Sequence, residues 1–245
     1  MKNFDDLTAT VAALLGENGC PWDKSQTFDS LREDLLEECY EAVDAVNKRD
    51  DAALCEELGD VLLSIVLYAK IAEADGRFTI GDVVDGITRK IIRRHSHVFG
   101  DVKAVTPEES LRNWEAEKSR EHGNPTVTDK LKGVPAAMPA LMRARKVLKR
   151  AAAAGYPLKT SASNVNPIAI NIQKLAETIS TLSEADIGTT ERQKLIGTIL
   201  LQLAGISAEL EINPEIALTN EIEQFINVVE DAENAGFAVS AQQIF

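Results

Sequence analysis

The segment Glu57-Leu58-Gly59-Asp60-Val61-Leu62-Leu63-Ser64-Ile65-Val66-Leu67-Tyr68-Ala69 carries its only charges in its first four positions. A run that is apolar nearly all round reads as a buried helix. Two carboxylates at the mouth of such a helix are costly unless a cation or hydrogen-bond donors compensate them. A second acidic group, Glu37, Glu38 and Glu41, lies upstream. On helices, i,i+3 spacing puts Glu38 with Glu41, and Glu57 with Asp60, on one face. Glu57 follows Glu41 by 16 residues, the span of one helix-turn-helix. Two adjacent antiparallel helices would bring the four carboxylates face to face.

Acids on helices are ordinarily solvated surface charge, but the apolar flanks of Glu57 and Asp60 argue against that here. Hard oxygen ligands suit Mg²⁺ or Mn²⁺, and such sites usually handle phosphates. A di-iron carboxylate bundle needs Glu-x-x-His pairs. None of the three histidines, His95, His97 and His122, follows a glutamate by three. Oxygen-only ligation also disfavours zinc.

Composition agrees with a helical chain. The 245 residues are 44% hydrophobic but only 5% aromatic, which favours helices over β-sandwiches. The net charge of -13 makes a nucleic-acid polymer an unlikely partner, because binding one relies on Lys and Arg. A small phosphorylated ligand carried with a metal ion stays compatible. Cys20, Cys39 and Cys55 form no CxxC pair and demand no oxidising compartment. The N-terminus has no basic stretch followed by an apolar core. The apolar run after Asp60 is about half the ~20 residues of a membrane span. No membrane partner is expected, and the cytoplasm is the expected compartment.

Periodicity places a first amphipathic helix over 3–16 and a loop over Gly16–Thr27. Ser30-Leu31-Arg32-Glu33 has capping-box spacing and opens a helix to about Lys48. Its apolar arc holds Leu31, Leu35, Cys39, Ala42, Val43 and Val46. Glu38 borders that arc, Glu41 lies further out and Glu37 further still. A second helix runs from about Ala52 to Ala74 and stops at Asp75-Gly76. A third spans about Ile80–His95, with Val83, Val84, Ile87, Ile91 and Ile92 as its buried side. His95 and His97 are placed to cap it. Four helices on short connections suggest an antiparallel bundle. Thr106-Pro107-Glu108-Glu109 starts another helix, which carries Trp114 and Lys118. Further helices are expected over about Pro139–Ala154, Pro167–Leu182, Thr189–Glu211 and Pro214–Asn234. Breaker-rich stretches at 122–125 and 160–167 read as linker and loop. No stretch alternates as a strand.

The last third reads as a worn copy of the first. Glu57-Leu58-Gly59-Asp60-Val61-Leu62-Leu63 lines up with Leu195-Ile196-Gly197-Thr198-Ile199-Leu200-Leu201. Upstream, Glu37, Glu38 and Glu41 correspond to Ala176, Glu177 and Ser180. Of five carboxylates one remains, so the copy keeps a fold and loses a metal.

These acids resemble the E-E-x-x-E, spacer, E-x-x-D pattern of the MazG family of nucleoside triphosphate pyrophosphohydrolases, within the all-α NTP pyrophosphatase group. Here it reads Glu37-Glu38-Cys39-Tyr40-Glu41, then Glu57-Leu58-Gly59-Asp60. The loop Asn18-Gly19-Cys20-Pro21-Trp22-Asp23-Lys24-Ser25-Gln26-Thr27 looks like the family's G-C-P-W-D-x-x-Q-T. Gly76-Arg77-Phe78, Arg93-Arg94-His95-Ser96-His97-Val98-Phe99-Gly100, and Trp114 followed by Lys118 resemble later signatures. Leu131, Gly133-Val134-Pro135 and Pro139-Ala140-Leu141 resemble the segment between its two repeats. The likeness covers most of 1–155 and weakens beyond, where the second repeat lacks its acidic set.

The resemblance implies an all-α chain of two tandem MazG-like helical-bundle repeats, the second degenerate. It divides as a catalytic domain over 1–123, a connecting helix and linkers over 124–166, and the worn repeat over 167–245. It implies a Mg²⁺-dependent enzyme, with Mn²⁺ as substitute, that cleaves NTP or dNTP to NMP or dNMP and pyrophosphate. Glu38, Glu41, Glu57 and Asp60 are then the metal ligands, and Glu37, Glu38 or Glu41 activates the attacking water. Basic groups must neutralise the triphosphate, and Lys24, Lys90, Arg94 and Lys118 are the candidates. Trp22 and Trp114 offer ring faces to a base, although a packing role suits Trp22 better. A homodimer is expected, as in the family. The alternative is a non-catalytic nucleotide-binding or dimeric scaffold protein, against which the complete acidic set of the first repeat argues.

Overall fold

A computed structural model describes residues 2–121, 126–155, 167–182 and 188–234. The breaker-rich stretches at 122–125 and 160–166 lie outside these residues. Every element among the described residues is a helix. The chain divides into two units, Met1–Glu121 and His122–Phe245. No single described helix is long and apolar enough to cross a membrane.

The first unit is built on a helical hairpin. Helix α1 (Phe4–Leu15) and the short α2 (Pro21–Lys24) precede α3 (Leu31–Lys48) and α4 (Asp51–Ala74). Helices α5 (Ile80–Arg94), α6 (Ser96–Phe99) and α7 (Pro107–Glu121) complete the unit. Helix α3 lies along α4, α1 packs on α4, and α5 touches both α4 and α7. The core is small. Val11, Leu31, Val66 and Leu67 are buried together, with Leu7, Leu15, Leu63 and Ile71 against them.

Local chemistry accounts for the helix ends. Asn3 and Asp6 exchange hydrogen bonds as a capping box at α1. Thr79 and Asp82 do the same at α5. Asp50 caps α4 by accepting from the N–H groups of Ala52 and Ala53, each at 3.0 Å. Two residues join α3 to α4. Arg49 takes the left-handed conformation (φ 56°), and the Asp50 N–H returns to the carbonyl of Ala45 at 3.0 Å. This is a Schellman stop with arginine where glycine is usual. Gly76 closes α4 in the same way at φ 66°, as its sequence suggests. Ser30 does not cap α3. Its backbone is helical, and its hydroxyl is engaged with Gln26 and Thr27.

The second unit holds α8 (Val127–Lys132), α9 (Ala140–Ala153), α10 (Pro167–Leu182), α11 (Thr189–Glu209) and α12 (Pro214–Asn234). Helices α10 and α11 pair, and α9 packs on α11 and α12. The offset that pairs Glu57 with Leu195 also pairs Asp51 with Thr189, and these are the first residues of α4 and α11. It pairs Val66 with Ala204 as well, and both are fully buried.

One expectation of burial fails. Val83, Val84, Ile87, Ile91 and Ile92 of α5 are 38–47% exposed. Val43 and Val46 of α3 are exposed too, as are Leu58, Leu62 and Ile65 of α4, so α4 is not buried all round. A periodic apolar stripe shows that a face needs cover, not what supplies it. Among the described residues of this unit nothing covers these faces.

Candidate metal centre

The α3–α4 hairpin does what the spacing requires. Glu38 and Glu41 stand one turn apart on α3, and Glu57 faces them from the first half of α4. One carboxylate oxygen from each lies within 4.8 Å of the others. Opposite ligand oxygens of an octahedral Mg²⁺ are about 4.2 Å apart, so a small closure of side chains would bring all three onto one ion. The donor set is all oxygen and hard, which fits Mg²⁺ or Mn²⁺.

The electrostatics point the same way. Burial raises the Glu38 carboxyl above its ordinary value, and the charges of Asp60, Glu41, Glu57 and Glu37 raise it further. Burial also raises Glu57, followed by the charges of Glu41, Glu56 and Asp60 and by a hydrogen bond with the Glu41 carboxyl. These carboxylates crowd one another, and a divalent cation removes the repulsion. Asp60 lies one turn beyond Glu57, outside the closest trio, and adds to the field at Glu38. Glu37 is exposed on α3 and contributes to the same field.

The basic and aromatic candidates fall into two places. Arg94, at the end of α5, lies with its guanidinium carbon 5.2 Å from the ring centre of Trp114 on α7. The Lys118 ammonium is 5.0 Å from the same ring. Lys90 is exposed one turn back along α5. These residues therefore share the α5–α7 side of the unit. Trp22 and Lys24 do not join either group. Trp22 is 61% exposed, and the Lys24 ammonium donates to the Glu17 carbonyl at 2.9 Å. Asp23, Lys24 and Gln26 line a cleft with Lys70, Glu73 and Asp75, at the C-terminal end of α4. At a rise of about 1.5 Å per residue, that end is roughly 20 Å from Glu57 and Asp60.

His95 does act at the end of α5, where its Nδ1 meets the Ile91 carbonyl at 2.8 Å. His97 lies beside it, its ring tilted by 47°, with ring centres 5.6 Å apart. Sequence reasoning missed Glu121, the last residue of α7, which binds both Arg93 and Arg94. The only signal was an acid one turn past Lys118, on a helix already rich in acids.

Comparison with known proteins places this geometry in a family. Residues 26–99, which carry both acidic groups, match the MazG nucleotide pyrophosphohydrolase domain. A protein of Thermotoga maritima named nucleoside triphosphate pyrophosphohydrolase/pyrophosphatase MazG is 35% identical over 91% of this chain and 82% of its own length. The Escherichia coli (strain K12) nucleoside triphosphate pyrophosphohydrolase is 36% identical over 92% of this chain and 85% of its own. A Mycobacterium tuberculosis protein of the same name is 34% identical over 82% of this chain and 62% of its own. With its carboxylate trio inside the matched segment and relatives that run most of its length, the chain belongs to the MazG nucleotide pyrophosphohydrolase family.

Proposed function

We propose that this chain is a divalent-metal-dependent nucleoside triphosphate pyrophosphohydrolase, with its chemistry in residues 1–123. The observation that carries this reading is the convergence of Glu38, Glu41 and Glu57 within 4.8 Å, in the segment that matches the family. Glu38, Glu41, Glu57 and Asp60 hold Mg²⁺, or Mn²⁺ in its place. When bound, the cation supplies charge neutralisation at the phosphates and makes coordinated water more acidic.

The chain's own residues do the rest. A carboxylate of the α3 acidic group (Glu37, Glu38 or Glu41) accepts a proton from the attacking water. The water oxygen bonds to the α-phosphorus, the bond from that phosphorus to the α,β-bridging oxygen breaks, and pyrophosphate leaves. The other product is the nucleoside monophosphate. Arg94 and Lys118, with Lys90 beside them, hold the phosphates electrostatically, and Trp114 offers a ring face. Trp22 and Lys24 stand at the far end of α4 from Glu57 and Asp60. The substrate reading places the chain in the cytoplasm, where nucleoside triphosphates are held.

The reading extends to a homodimer, supported by the exposed apolar faces of α3, α4 and α5. Residues 167–245 are read as the worn repeat, without a metal, and 124–166 as the connection. The test is a digest of NTPs and dNTPs with Mg²⁺, resolved by chromatography. Nucleoside monophosphate and pyrophosphate are expected, and EDTA should stop their formation. Accumulating diphosphate, or full turnover in metal-free EDTA, would overturn the reading.

A further inference from the structure

The Glu121 carboxylate is the meeting point of the α5 and α7 ends. Arg94 donates to it through both Nε, at 3.0 Å to Oε1, and Nη2, at 2.5 Å to Oε2. This is a two-toothed guanidinium–carboxylate pair, which fixes geometry as well as adding energy. Both side chains are only 13% exposed. Arg93 donates to the same Oε1 at 2.8 Å, from a side chain that is 54% exposed. Glu121 sits one helical turn beyond Lys118 and two beyond Trp114, so the residue that grips Arg94 belongs to the helix carrying both other members of the cluster.

The pairing spends only one edge of the Arg94 guanidinium. Nε and one Nη2 hydrogen are used, while Nη1 has no acceptor among the described residues. An arginine held by one edge, flat against a carboxylate and near a tryptophan ring, cannot rotate its other edge away. The pair thereby presents two donors of Nη1 in a fixed direction. Arg93 and Arg94 outnumber the one carboxylate they share, so the pairing leaves net positive charge there.

We propose that Glu121 is a positioning residue for the nucleotide site, orienting Arg94 so that its Nη1 edge receives a phosphate of the substrate. The inference rests on the reading of Arg94, Lys118 and Trp114 as the triphosphate-holding group. The strong depression of the Glu121 carboxyl, to about 2, is caused first by its hydrogen bond from Arg94, so the carboxylate stays charged throughout the working range.

The test uses the full chain and four variants: Glu121→Gln, Glu121→Asp, Arg94→Ala and the double variant Arg94→Ala with Glu121→Gln. Parent turnover on a dNTP with Mg²⁺ is measured first, and its absence would defeat the functional reading itself. Glu121→Gln should raise KM about tenfold while kcat moves less, because uniform ground-state binding is what is lost. Calorimetric titration with an α,β-methylene nucleotide and Mg²⁺ should show the same tenfold weakening without any turnover. Mn²⁺ affinity of the nucleotide-free protein, read by electron paramagnetic resonance, should match the parent. The double variant should be no worse than Arg94→Ala alone, since Glu121 acts through Arg94. If Glu121→Gln melts too low to assay, Glu121→Asp, which keeps the charge, should hold KM within about threefold of the parent. The inference falls if Glu121→Gln keeps the parent KM. It falls equally if the loss lies in kcat alone, or if the two single effects multiply in the double variant.

Discussion

Glu38 and Glu57 are glutamates whose neighbours make ionisation costly, and this has two consequences for single residues. The first concerns pH. Both groups are raised, so the folded, metal-free protein retains protons that the unfolded chain gives up near 4.5. Their favourable contribution is complete below about 4.5 and vanishes as pH climbs through the raised values. Metal must displace those protons, so it binds better as pH rises. Melting curves with and without Mg²⁺ should show a larger Mg²⁺-induced rise in Tm at pH 8 than at pH 5, and an equal rise would refute the cluster as the metal site. Glu121 behaves in the opposite sense. It is lowered to about 2, so its contribution is present above 4.5 and fades as pH falls toward 2. The second consequence concerns location. Glu57→Gln removes a charged member of the trio and should cut turnover at least ~100-fold, since even outer-shell changes at metal sites cost 10–100-fold. Glu177→Gln should leave turnover within about twofold. Among the described residues the Glu177 carboxylate accepts only from Gln173 on its own helix, at 3.1 Å. Steady-state rates of the two folded variants decide between the halves of the chain.

The convergence of Glu38, Glu41 and Glu57 was legible because the spacing is local: i,i+3 on α3, and one hairpin to α4. Glu121 was not, because its partner lies 27 residues upstream and only packing joins them.

Among the elements, boundaries were legible wherever a cap is written in the side chains next to it. The hairpin helices α3 and α4 fall within a residue of where periodicity put them, and Gly76 ends α4 as expected. The short helices α2, α6 and α8 were missed, since one or two turns give no period to read. Ser30 misled because a serine three residues before a glutamate caps only if its backbone is extended, and here it is helical. Arg49 is the weak joint of the hairpin. Left-handed backbone costs a side-chain-bearing residue about 1–2 kcal/mol. Glycine removes that strain but adds about 0.5–1 kcal/mol of unfolded-state freedom. Arg49→Gly should therefore stabilise the chain by about 0.5 kcal/mol, visible as a rise of about 1–2 °C in Tm by calorimetry; a fall would show that the Arg49 side chain contributes more than the strain costs.

At the level of the whole molecule, the exposed stripes on α3, α4 and α5 set the largest difference between sequence and structure. The pattern of Val83, Ile87 and Ile91 was legible as an apolar face, but a pattern of period 3.6 is the same whether the covering surface belongs to the chain or to a second copy. Replacing Ile87 and Ile91 by glutamate should halve the mass found by sedimentation if these faces join two chains. An unchanged mass would remove α5 from the interface.

The α3–α4 hairpin has one more consequence, which concerns time rather than energy. Its two helices are joined by two residues, Arg49 and Asp50, so their meeting closes a very short loop. Contacts this local form early in folding. The carboxylates of Glu38, Glu41 and Glu57 are therefore driven together near the start, while little else exists to offset their repulsion. A divalent cation held by these carboxylates during refolding would shield that encounter, so it would set the pace of the site's assembly as well as complete the finished site.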